Sequence, residues 1–101
     1  GRLERDIPHK VRYGITRVVE YCSREVERFD LRYSNNMLTG SVWMASEMLG
    51  YDIRQEELTG VWAGSSPGLR ASVKTMCELF KIDRKKLSDI DLDEFVLGVR
   101  C

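Results

Sequence analysis

Asp52-Ile53-Arg54-Gln55-Glu56-Glu57-Leu58-Thr59-Gly60-Val61-Trp62, the break Ala63-Gly64-Ser65-Ser66-Pro67-Gly68, and Leu69-Arg70-Ala71-Ser72-Val73-Lys74-Thr75-Met76-Cys77-Glu78-Leu79-Phe80 together decide the fold. The first part sets Leu58, Val61 and Trp62 on one face at helical spacing. In the break, Gly64 suits a left-handed backbone position, Ser65 or Ser66 can cap a new helix, and Pro67 fits its first turn. The last part repeats the helical step with Leu69, Val73, Met76, Cys77 and Phe80, which leaves Arg70 and Lys74 together on the outer face. A short helix, a tight turn and a second helix with cations near its start is the plan of a helix-turn-helix. The same pattern also describes an ordinary helical hairpin in a bundle.

Outward from this stretch the chain reads as helix throughout. Upstream, His9–Phe29 is amphipathic, with Val11, Ile15, Val18, Val19, Cys22, Val26 and Phe29 at three- and four-residue steps. Ser34 caps a second helix to Leu49, and Gly50 stops it. That helix mixes apolar Met37, Leu38, Val42, Trp43, Ala45 and Met48 with small residues, the profile of a central helix enclosed by others. Asp52 with Gln55 resembles a capping box for the third helix. Downstream, one turn is expected at Arg84–Leu87, and a last helix from Asp91 with Phe95, Val96 and Val99 inward. The expected architecture is all-α, a bundle of four to five helices around the Ser34–Leu49 helix. Residues 1–8 read as a linker, 9–101 as the domain and 82–101 as its acidic extension. Its core is expected to gather Val18, Cys22, Val42, Ala45, Leu58, Val61, Leu69, Val73 and Phe80.

Composition narrows the function. The 101 residues are 43% apolar and 32% charged, those of a globular domain large enough to bury a core without disulfides or metal. Sixteen basic and sixteen acidic residues cancel, which argues against tight, autonomous binding to nucleic acid. The charge is unevenly spread. Between Ser66 and Lys86, Arg70, Lys74, Lys81, Arg84, Lys85 and Lys86 oppose only Glu78 and Asp83, while Asp89, Asp91, Asp93 and Glu94 make the following segment acidic. That acidic end reads as solvated, or as a cover folded back on the basic surface.

Cys22, Cys77 and Cys101 have no metal spacing, and two of them fall on apolar faces, as buried thiols of an intracellular protein do. The initial Gly1 suggests a piece excised from a longer chain. His9 is the single histidine and has no triad partners, and no phosphate loop or paired-carboxylate motif appears, so no catalysis and no cofactor are expected. No apolar run approaches the roughly 20 residues needed to span a membrane. Trp43 and Trp62 sit on apolar helical faces and read as core.

The order of parts resembles one cyclin-fold repeat of the transcription factor IIB family over Val11–Phe80, about two-thirds of the chain. Trp43-Met44-Ala45-Ser46 matches the family's central-helix ending "(I/V)-Y-(L/M)-A-S", and Gln55-Glu56-Glu57-Leu58 its "T-Q-K-E-I" segment. Val61-Trp62-Ala63-Gly64-Ser65 corresponds to "V-A-G-V-(T/S)", and Leu69–Lys74 to "V-T-(I/L)-R-x-x-Y-K-E-L". The resemblance implies promoter DNA contact through the helix-turn-helix, beside a TATA-binding protein and RNA polymerase subunits, in a nucleus or an archaeal cytoplasm. It places the family's base-reading arginine on Arg70 and its lysine on Lys74, while Pro67 and Val73 stand where the family has valine and an aromatic. Ser66, Lys81, Lys85 and Lys86 complete the expected DNA surface. The resemblance also implies that the Asp91–Val99 segment fills the groove of the family's first helix, within one chain or exchanged in a dimer. The other function class is a cyclin-fold protein adaptor without nucleic acid.

Overall fold

The computed structural model describes residues 7–61 and 66–97, with the side chains of residues 59–61 left out. Five α-helices run α1 His9–Arg28, α2 Asn35–Leu49, α3 Gln55–Val61, α4 Ser66–Phe80 and α5 Leu92–Leu97, with a 3-10 helix at Arg84–Asp89 before the last. No strand occurs among the described residues, so the all-α expectation holds.

The centre is α2. It touches each of the other elements, and more than half of its residues are buried. Its small residues set the distances. A Cβ at Gly40 would lie 3.2 Å from both Met76 Cε and Val73 Cγ2, so α4 crosses α2 where there is no side chain to separate them. A Cβ at Gly14 of α1 would lie 3.0 Å from Leu49 Cδ1 and 3.3 Å from Leu92 Cδ1, which seats the end of α2 and the start of α5 against α1.

Hydroxyls buried in α2 are satisfied mainly by their own helix. Thr39 donates to the Asn35 or Asn36 carbonyl, both at 3.1 Å, and Ser46 to that of Trp43 at 2.7 Å. Ser41 donates to the Met37 carbonyl at 2.8 Å and accepts from the Tyr33 hydroxyl at 2.7 Å. Burial pushes the Tyr33 phenol far above its usual range, and the Ser41 contact opposes that only in part.

Three helices end the same way, with one residue in the left-handed region and a six-to-one return bond. Gly50 takes φ 70° and the Tyr51 N–H donates to the Ser46 carbonyl at 2.8 Å. Asp30 (φ 59°) and Lys81 (φ 58°) do so without being glycine, with return bonds from Leu31 to Val26 and from Ile82 to Cys77. Helix starts follow the side chains. Ser34 accepts from the Met37 N–H at 3.3 Å, and Asp91 from Asp93 at 2.9 Å and Glu94 at 3.3 Å. At α3 the cap position is Arg54, whose carbonyl receives Glu57 and Leu58, and whose N–H donates to Glu57 Oε1 at 3.4 Å. The carboxylate return of a capping box thus falls two residues beyond the Asp52–Gln55 pair.

Eight of the nine expected core residues, Val18, Cys22, Val42, Ala45, Leu58, Leu69, Val73 and Phe80, belong to one buried cluster; the side chain of Val61 lies outside the described residues. Met44, Ile53, Leu87, Leu92 and Phe95 join it. Trp43 packs against it half-buried, as the core reading requires, while Trp62 lies outside the described residues. Phe95 forms an aromatic trio with Tyr21 and Phe80, at centroid distances of 4.7 and 5.6 Å, with Tyr21 and Phe80 5.7 Å apart. The last helix therefore docks within its own chain. Val96 packs beside it, and Val99 lies outside the described residues.

Candidate nucleic-acid interface

Inward-facing Leu69, Val73, Met76, Cys77 and Phe80 fix the rotation of α4, and every one is buried. Arg70 and Lys74 consequently point outward and are exposed, with Glu78 one further four-residue step along. Val73 is only 1% exposed and is a core residue. Ser66 begins α4 half-buried; the turn before it, from Trp62 to Ser65, lies outside the described residues. Where α4 starts, Gly68 passes so close to Asn36 that a Cβ would sit 2.5 Å from its side-chain nitrogen, so α4 enters across the first turn of α2.

Lys81 then reverses the chain. Asp83 caps the 3-10 helix by accepting from the Lys85 N–H at 2.9 Å, and this turn brings Arg84 and Lys85 back beside α4. Lys74, Cys77, Glu78, Ile82, Asp83, Arg84 and Lys85 line one open groove of about 480 Å³. Cys77 forms part of its floor. Burial pushes the Cys77 thiol up to about 11, with Arg84 pulling it down and Asp83 and Glu78 pushing it further up. These three charged groups therefore act on one point.

Of the six expected contact residues, Arg70, Lys74, Lys81, Lys85 and Lys86 are exposed and Ser66 is half-buried. The structure joins Lys74 and Lys85 in one groove; Arg84, counted in the charge of the segment but not among the site residues, belongs with them. Its signal was the chain reversal at Lys81, which no glycine marks.

The acidic helix α5 makes no ion pair with this surface among the described residues. Helix α5 lies against α1 and α2, and Asp93 pairs with Arg17, whose guanidinium sits 5.7 Å from the Tyr13 ring centroid. Among the described residues the ion pairs are Arg17–Asp93 and Arg28–Glu25, so none of the cations from Arg70 to Lys86 is neutralised by one. No group of three or more His, Cys, Asp or Glu among the described residues is placed to hold a metal ion, and no described helix is long and apolar enough to cross a membrane. Comparison of this chain with protein-family models, curated proteins and solved structures returns no match.

Proposed function

We propose that this chain is a DNA-contacting module of the transcription factor IIB type, a single cyclin-fold repeat acting inside the cell with a TATA-binding protein and RNA polymerase. In this reading α3 and α4 form the helix-turn-helix. Arg70 reaches base edges, and Lys74, Lys81, Lys85 and Lys86 meet phosphates. One observation carries it: the basic surface of α4 and the 3-10 helix stays open, because the acidic helix docks elsewhere. The central, all-round burial of α2 accords with a cyclin-like plan.

The balanced net charge points to weak binding alone, strengthened by a partner or a second repeat. Titration with duplex DNA at two salt concentrations, with and without a TATA-binding protein, tests the reading. Affinity should fall as salt rises. Arg70→Ala should relax base preference by about 1–3 kcal/mol, and Lys74→Ala should weaken all sequences alike. A second reading, a protein adaptor, is favoured by exposed Phe29 and Leu31, which lie in sequence between Arg28 and Tyr33, two walls of a groove of about 590 Å³. Absence of duplex binding under every one of these conditions would select it.

A further inference from the structure

We infer that Arg84, with Lys74 and Lys85, forms a seat for a backbone phosphate of the bound nucleic acid, and that Glu78 and Asp83 hold its affinity down. The inference rests on the DNA reading and deepens it by assigning a residue and a counter-charge to that surface. Three cations from two elements line the same groove, although Lys74 and Arg84 are ten residues apart in sequence. Arg84 supplies a planar fork matched to two phosphate oxygens, whereas Lys74 and Lys85 act as point charges on either side. All three are exposed and make no ion pair among the described residues, so no internal contact need break for them to meet an anion.

Two carboxylates share the groove, and they differ in kind. Asp83 is held there by its capping bond to the Lys85 N–H. Glu78 is exposed on the α4 surface and has no such task. Both place negative charge near the point where a phosphate would sit. Their removal is therefore a gain-of-binding test, which loss of folding cannot imitate. Asparagine keeps the side-chain oxygen that caps a helix, so Asp83→Asn lowers the charge while retaining the turn.

The experiment is fluorescence anisotropy of a short labelled DNA duplex at about 50 and about 200 mM salt. It compares the intact chain with Arg84→Gln, Asp83→Asn, Glu78→Gln and Arg70→Ala. Arg84→Gln should reduce the slope of log affinity against log salt by about 1, with equal losses on unrelated sequences. Asp83→Asn and Glu78→Gln should each tighten binding by about two- to fivefold, the range of exposed charge interactions. If Arg84→Gln leaves slope and affinity intact while Arg70→Ala weakens binding, the phosphate seat is wrong and the DNA reading stands. If the intact chain, with or without a TATA-binding protein, binds no duplex at either salt, the DNA reading itself falls, and the seat with it.

Discussion

The basic segment from Arg70 to Lys86 and the acidic helix α5 follow one another in the chain, carry opposite charge, and do not pair with each other. Helix α5 goes to α1 and α2, where Leu92 and Phe95 are buried and Asp93 reaches Arg17. The cations of α4 and the 3-10 helix stay in solvent. Magnitudes explain the choice. Burying a large apolar side chain contributes about 1.5–3 kcal/mol, whereas an exposed ion pair contributes about 0–1 kcal/mol. Apolar spacing decides where the last helix docks, and charge settles for what is near. The charged surface left over is then available for a partner.

Phe95→Ala attacks that balance most directly. Removing a fully buried aromatic side chain from the Tyr21–Phe80–Phe95 trio should cost about 3–5 kcal/mol, read as a lower midpoint in urea unfolding. A cost below about 1 kcal/mol would mean that α5 is held by something other than its apolar face.

The basic side offers a pH test. Because the folded state raises the Cys77 thiol to about 11 from 9, the folded state binds that proton more tightly. The stability this supplies is complete below pH 9 and is lost as pH rises through 11. Cys77→Ser should flatten that decline in a urea series across this window, and the native Cys77 should be alkylated slowly at neutral pH.

Lys81 sharpens the comparison from the backbone. Glycine fits its positive φ without the Cβ clash, so Lys81→Gly should stabilise the fold by up to about 1 kcal/mol, while removing one exposed positive charge. A chain destabilised by this change would show that the lysine side chain itself holds the turn. Asp93→Asn should matter least. Asp93 is exposed while its partner Arg17 is half-buried, and the expected loss is about 0.5 kcal/mol or less, fading with added salt.

Periodicity made most of this fold legible. Long helices α1, α2 and α4 announce themselves by repeated apolar spacing, and Ser34, Gly50 and Asp91 mark ends by chemistry that needs no tertiary context. Ile53 and Leu87 are each 1% exposed yet escape such reading, because a lone apolar residue in a short connection has no period. Leu92 is missed for a related reason: one helical turn is too short to say which face is inward. Likewise Asp30 and Lys81 end helices in a conformation that glycine would advertise and they do not. At the candidate site, exposure of Arg70 and Lys74 follows from the face of α4. The meeting of Lys74 with Arg84 does not, since it depends on that unadvertised reversal.

The aromatic trio has a consequence in time. Tyr21 belongs to α1 and Phe95 to α5, so the ring that covers one side of Tyr21 is synthesised 74 residues later. At about 5–20 residues per second, that interval is on the order of ten seconds. For its duration the growing chain presents on α1 the apolar surface that α5 later covers. Ribosome-bound chains stopped short of residue 95 are therefore the form most exposed to chaperones.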